Sequence, residues 1–176
     1  MFEEFKKKCA HFYIRKKVLK KPSEVISFKR IISDSQTVFI VMPAGDNDFP
    51  NSFEILRYLQ IHKKDITLFL PEFRINQIPE RERYKLISFF PDQITKIFLP
   101  NKKLREKVMG KSVDLVLDLN RSEDTFHSAI SNYVASKVKL GFRKKNSESY
   151  YNLLFDSKQT ESNAAYFNLL NYLRMF

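Results

Sequence analysis

Val38-Phe39-Ile40-Val41-Met42-Pro43-Ala44-Gly45-Asp46-Asn47-Asp48-Phe49-Pro50-Asn51-Ser52-Phe53-Glu54-Ile55-Leu56-Arg57-Tyr58-Leu59 is the stretch that decides how this chain folds. It opens with an apolar run of strand formers, Val38 to Met42, and breaks at Pro43 and at Gly45-Asp46. It then resumes with Phe53, Ile55, Leu56 and Leu59, which share one face of a helix. Strand, glycine turn and helix make the first unit of a parallel α/β sheet, and in such sheets ligands sit in the loops that follow strands. A glycine at position 45 permits a tight turn and a close backbone approach to a ligand. The loop is neither a dinucleotide fingerprint nor a P-loop: G-x-G-x-x-G is absent, and the chain has only three glycines.

Outward from this stretch the same alternation continues. Strands are expected at Thr37 to Met42, Ile66 to Leu70, Ile94 to Leu99, Val113 to Leu119, Val138 to Phe142 and Tyr151 to Phe155. Helices are expected at about Asn51 to His62, Glu80 to Phe89, Lys102 to Met109, a segment capped by Ser122 with Thr125, and Ser162 to Met175. Arg74 to Pro79 reads as loop. The pattern predicts a Rossmann-like parallel sheet with helices on both faces over residues 37–176. Residues 1–36 read as a basic amphipathic helix over 1–21, ended by Pro22-Ser23, followed by a connector from Ser23 to Asp34. Phe2, Phe5, Cys9, Phe12 and Tyr13 form the helix's apolar stripe.

Composition bounds the possibilities. The 176 residues allow one domain with a real core, and 17 phenylalanines in a chain that is 43% hydrophobic argue against disorder. The single cysteine, Cys9, excludes an intrachain disulfide and suits a reducing cytoplasm. His11, His62 and His127 are far apart and lack ligand spacing, so no metal or other cofactor is expected. No apolar run reaches the ~20 residues of a membrane span, and the basic N-terminus is not followed by the apolar core of a signal peptide. The expectation is a cytoplasmic protein, soluble or peripheral at the inner face of the membrane.

Net charge is +11, and residues 1–30 carry +7 of it, from ten Lys+Arg and three Glu. That asymmetry points to an anionic partner meeting the N-terminal arm through Lys6, Lys7, Arg15, Lys16 and Lys17: a membrane surface or nucleic acid. The plainer and preferred reading of the same helix is that it packs its phenylalanines on the body and solvates its lysines. Nucleic acid finds no zinc finger, RNP pattern or helix-turn-helix to recognise it.

Three polar loops follow strands and so share one sheet edge. Gly45 and Asp46 belong to the first, where Asp46 and Asp48 serve either as a carboxylate base or as caps for the next helix. Asp118, Asn120, Arg121 and Ser122 belong to the second. Arg143, Lys144 and Lys145 form the third, as ligand contacts or as plain surface. One carboxylate among several cations suits an anionic, hydroxyl-bearing ligand.

Over residues 37–176 the chain resembles the N-terminal half of the heptosyltransferase family (glycosyltransferase family 9). The resemblance rests on the strand, Gly-Asp turn and helix of Val38 to Leu59, and on the strand, polar turn and helix of Val113 to Ala135. It extends to Lys137-Val138-Lys139-Leu140-Gly141-Phe142, to Tyr151-Asn152, and to the helix Ala164 to Leu173. It implies the acceptor domain of a GT-B enzyme in bacterial envelope glycan synthesis. Asp46 matches the proposed general base, and Arg143 with Lys144 would face an anionic glycan acceptor. The sequence stops where the sugar-nucleotide half should begin, so the expectation is either that this half comes from another chain or that the fold has been kept for a different job. Asn47 and Asp48 also stand where the family carries apolar residues. Two functions follow: a binding or assembly module that is not catalytic alone, or the acceptor half of a split glycosyltransferase with Asp46 as base and Asn120, Arg121 and Arg143 orienting the acceptor.

Overall fold

A computed structural model describes residues 2–19 and 29–176, apart from the side chain of Phe2. In chain order the elements are α1 (Phe2–Lys17), α2 (Ile31–Asp34), β1 (Thr37–Val41), α3 (Asp48–Asn51), α4 (Phe53–Ile61), β2 (Asp65–Pro71), β3 (Lys85–Phe89), α5 (Lys102–Val108), β4 (Leu115–Asp118), α6 (Thr125–Tyr133), β5 (Val138–Phe142), β6 (Leu153–Phe155) and α7 (Ser162–Leu173). The helix expected over 1–21 ends earlier, at Lys17, so it does not run up to Pro22-Ser23, which with the first part of the connector lies outside the described residues.

The strands form one six-stranded sheet in the order β3-β2-β1-β4-β5-β6, and every pairing is parallel. This is the Rossmann-like α/β arrangement that the sequence predicts. β1 lies between β2 and β4, with Ile40 opposite both Leu68 and Leu117. Val38, Ile40 and Met42 face α4, α7 and the isoleucines of α2. Phe39 and Val41 face α5 and α6, where they meet Phe69, Phe89, Leu104, Val116, Phe126 and Ile130. Burial on both faces is why the central strands read as unbroken apolar runs. The chain leaves β1 toward the face carrying α4 and leaves β4 toward the face carrying α6, so the carboxyl ends of β1 and β4 flank the topological switch point, where such sheets leave a crevice.

Several expectations are corrected. The third strand is Lys85–Phe89, not Ile94 to Leu99. Its edge position explains the misreading: paired only with β2, it keeps charged Lys85 exposed and Leu86, Ile87 and Ser88 half-buried. The Glu-Arg-rich run before it, which reads as helix, makes only a 3-10 turn at Arg81–Arg83. Ile94 to Leu99 forms a tight reversal closed by the Ile94–Pro100 bridge, with Phe98 in the left-handed region at φ 59. Arg74 to Pro79 likewise lies largely in a 3-10 segment, Glu72–Gln77. Helix α6 is capped by Asp124, whose Oδ1 accepts from the amides of Phe126 (2.8 Å) and His127 (3.4 Å), and not by Ser122. The first helical stretch starts earlier than predicted, at Asp48.

Helix α1 is present, but of its aromatic stripe Tyr13 packs on the body, half-buried, whereas Phe5 and Phe12 do not. Ala10, Ile14 and Val18 are buried against Leu99, Ala129, Tyr150 and Tyr151, beside α6. His11 bridges the same seam, hydrogen-bonded to the Tyr150 hydroxyl and, through Nε2, 3.1 Å from Glu123 Oε1. Phe5 and Phe12 point into solvent, 64% and 62% exposed. Small and β-branched residues let the helix approach closely, which the bulkier phenylalanines would prevent.

Candidate cleft at the switch point

The loops after β1 and β4 and the segment leading into α7 enclose an open cleft of about 860 Å³. Gly45, Asp46, Asn47, Asp48, Pro50 and Asn51 form one wall, and Arg121 with Thr160, Glu161, Ser162 and Asn163 forms the other. Of the second wall only Arg121 was legible in the sequence as a site, because residues 160–163 lie about forty positions after it and carry no motif.

Beneath the cleft sits a buried polar fastener. Asp118, at the end of β4, is fully buried. It accepts from Lys144 Nζ (2.9 Å), the Asn120 amide (3.0 Å), Asn120 Nδ2 (2.7 Å) and the Tyr151 hydroxyl. Burial alone would raise its pKa. The Lys144 charge and the hydrogen bonds from Tyr151, Lys144 and Asn120 outweigh it and hold the carboxyl below its usual range. Burial and then the Asp118 charge push the Tyr151 phenol well above its usual value, so Tyr151 stays a neutral donor. Asn120 reaches across the switch point: its Oδ1 accepts from the Ala44 amide (2.9 Å) and its Nδ2 donates to the Met42 carbonyl (3.2 Å). This cross-tie fixes where the loop carrying Gly45 and Asp46 begins.

The cleft walls are joined by Arg121. Its Nη1 donates to Asp48 Oδ1 (3.1 Å), and its Nη2 donates to the carbonyls of Gln159 (3.0 Å) and Thr160 (2.7 Å). Ser162 Oγ donates to the same Asp48 oxygen at 2.6 Å. Asp48 therefore ties two loops together. The helix N-cap is Asn47, whose side chain makes no capping bond. Asp46 is 92% exposed in its side chain and pairs with the buried Arg74 guanidinium, which stacks 4.7 Å from the Phe49 ring centroid and donates to Gln77 Oε1 (2.8 Å). Arg74 read as loop in the sequence, and only the fold brings it to Asp46.

The predicted site residues therefore divide. Gly45, Asp46 and Arg121 line the cleft. Asn120 and Lys144 lie in the fastener below it, Lys144 with a side chain only 5% exposed. Ser122 is exposed next to Arg121. Arg143 is turned outward onto Glu148 (2.7 Å) and Asp156 (3.3 Å). Three carboxylates, Asp46, Asp48 and Glu161, and one cation, Arg121, line the cleft, a balance opposite to the one-carboxylate crevice expected from sequence. Gly45 has no positive φ, and a Cβ there would meet Asp48 Oδ2 at an ordinary 3.7 Å. Nothing in its backbone therefore demands glycine.

On the sheet face carrying α5 and α6, His127 is buried among Phe69, Phe89 and Phe126, with Nδ1 2.6 Å from Asp124 Oδ2. Burial pushes its pKa down, but the charge and hydrogen bond of Asp124 outweigh that, and its pKa is raised. Asp124 is lowered by the same pairing against its own burial. Among the described residues no cluster of three or more His, Cys, Asp or Glu side chains could hold a metal ion, and no helix is long and apolar enough to cross a membrane.

A doubly wound parallel domain with its cleft at the switch point defines the class. The chain belongs to DUF6913, a family of unknown function, whose profile matches residues 6–176 and so takes in most of α1. No curated protein and no solved structure matches it.

Proposed function

We propose that this chain is a binding module on a glycosyltransferase-like scaffold, holding a neutral, hydroxyl-rich ligand in the switch-point cleft without transferring a group. The observation that carries this reading is that the two carboxylates of the loop after β1 are already engaged: Asp46 with Arg74, and Asp48 with Arg121 and Ser162. A general base needs a carboxylate free to reach the proton it removes. Asn47, Asn51, Asn163, Thr160 and Ser162 supply the donors and acceptors that hydroxyls require, while the excess of carboxylates opposes an anionic ligand. The likeness to the heptosyltransferase acceptor half is then the ancestry of the scaffold. The lone thiol Cys9 fits a reducing, cytoplasmic setting.

Titration of the isotopically labelled chain with a neutral oligosaccharide, followed by amide chemical shifts, tests the reading. Shifts at Gly45, Asn47 and Ser162 with the neutral saccharide, and weaker ones with glucose 6-phosphate, are expected. Saturating shifts with the phosphate sugar alone would refute the ligand class, and no shift with either would refute the cleft as a saccharide site.

A second reading is favoured by the exposure of the Asp46 carboxylate at the cleft rim: the chain is the acceptor half of a split glycosyltransferase. It requires a second chain with a sugar-nucleotide-binding domain to co-purify from cells in native mass spectrometry. In that complex Asp46→Asn abolishes transfer. Retained transfer would remove Asp46 from the mechanism.

A further inference from the structure

We infer that the outward face of α1 seats in the interface of an anionic lipid bilayer. Phe5 and Phe12 are seven residues apart, so they stand about 10 Å apart along the helix on nearly the same side. Both are more exposed than buried, and the exposed cations Lys8, Arg15 and Lys16 flank them, with Lys16 Nζ 4.9 Å from the Phe12 ring centroid. The helix cannot roll to bury these rings. Ala10, Ile14 and Val18 hold its opposite side on the body, and the Glu123 carboxylate holds His11.

Two apolar rings on a helix lying in the plane of a headgroup layer, ringed by Lys and Arg, are what interfacial binding uses. The rings enter the acyl boundary while the flanking stems reach phosphates. The helix presents a convex ridge among the described residues, whereas single-stranded nucleic acid binding combines a basic groove with stacking platforms. Phenylalanine has no polar atom to place against a phosphate backbone. Glu3 and Glu4 lie in the first turn, so the positive charge is concentrated in the helix's later turns. Lys17 is also exposed and adds to it.

The site is separate from the switch-point cleft, and its test does not depend on the cleft's ligand. The full chain is sedimented with vesicles of phosphatidylcholine alone or with phosphatidylglycerol. Binding to the phosphatidylglycerol vesicles only is expected, with release in 1 M salt, where the screening length falls to about 3 Å. Phe5→Ser with Phe12→Ser lowers vesicle binding by at least about tenfold per ring and leaves the urea midpoint unchanged, since neither ring is packed. Each charge removed by Lys8→Gln, Arg15→Gln or Lys16→Gln lowers it about fivefold. Full vesicle binding by the double serine variant overturns the inference. So does failure of the parent chain to bind phosphatidylglycerol vesicles, whether or not it binds RNA, DNA or a protein instead.

Discussion

Replacing Lys144 with methionine tests the account of the buried fastener. The ammonium lies 2.9 Å from Asp118 Oδ2 and 2.7 Å from the Asn120 carbonyl. Its side chain is nearly buried and that of Asp118 fully so. At an effective dielectric of about 20, a pair at that distance interacts by roughly 6 kcal/mol, part of which offsets the desolvation of both groups. Removing one partner strands the other charge, which typically costs about 3–5 kcal/mol. For a domain of this size that corresponds to a fall in Tm of roughly 6–20 °C. The chain has no tryptophan and eight tyrosines, so urea unfolding is followed by circular dichroism and tyrosine fluorescence. The pH dependence sharpens the test. In the parent the Asp118 pKa is depressed, so its contribution is present above about pH 3.9 and is lost as pH falls through the folded value. In Lys144→Met the cation is gone and burial governs, so the pKa rises above about 3.9. Protonation then favours the folded state, and the gap between variant and parent narrows as pH drops from 7 to 5. Adding Asp118→Asn to Lys144→Met recovers part of the loss, which a double-mutant cycle measures. A single variant within about 1 kcal/mol of the parent, below what stranding a buried charge costs, or a gap that is flat with pH, would refute the reasoning.

Other outcomes follow from named contacts. At Gly141 an added Cβ would lie 3.1 Å from three atoms of the Tyr151 ring, and that ring is held by its bonds to Asp118 and Ser128. Gly141→Ala therefore destabilises by about 1–3 kcal/mol in urea melts, and Tyr151→Phe does not relieve the clash. The His127–Asp124 pair contributes stability that is full below about pH 6.5 and lost as pH rises through the raised folded pKa of His127. Its Asp124 side is lost as pH falls below about 3.9. The difference in urea midpoint between the parent and His127→Gln therefore shrinks between pH 6 and pH 9. Arg121→Ala unties residues 159–160 from α3. It speeds amide hydrogen exchange in residues 157–163 while leaving β1 and β4 protected, and exchange that stays at parent rates would show that the clamp is redundant.

The sequence made the doubly wound architecture legible because central parallel strands announce themselves as apolar runs: Val38 to Met42, Ile66 to Leu70 and Val113 to Leu119 needed no tertiary information. Edge strand β3 did not, because one-sided pairing leaves it half-solvated and its charged lead-in imitates a helix. Gly45, Asp46 and Arg121 could be placed on a common edge by counting loops. What loop counting cannot supply is depth: Lys144 and Arg143 are neighbours in sequence, yet one side chain is sealed against Asp118 and the other meets Glu148 and Asp156 at the surface. Residues 160–163 of the cleft's second wall and Arg74 were equally out of reach, since both meet the Gly45–Asp48 loop only through contacts between distant segments. In α1 the period was read correctly but assigned to the large aromatics, whereas the close approach to α6 selects Ala10, Ile14 and Val18.

The seat of α1 also has a consequence for the order of events during synthesis. His11 is 139 positions from its partner Tyr150, and Ile14 packs in the same cluster as Tyr150 and Tyr151. This helix thus leaves the ribosome well before the platform it packs on. At translation rates of about 5–20 residues per second, the interval is on the order of ten seconds. Throughout it Ala10, Ile14 and Val18 stand as uncovered as Phe5 and Phe12, so a nascent chain offers both sides of this helix to chaperones and membranes, and the finished protein only one.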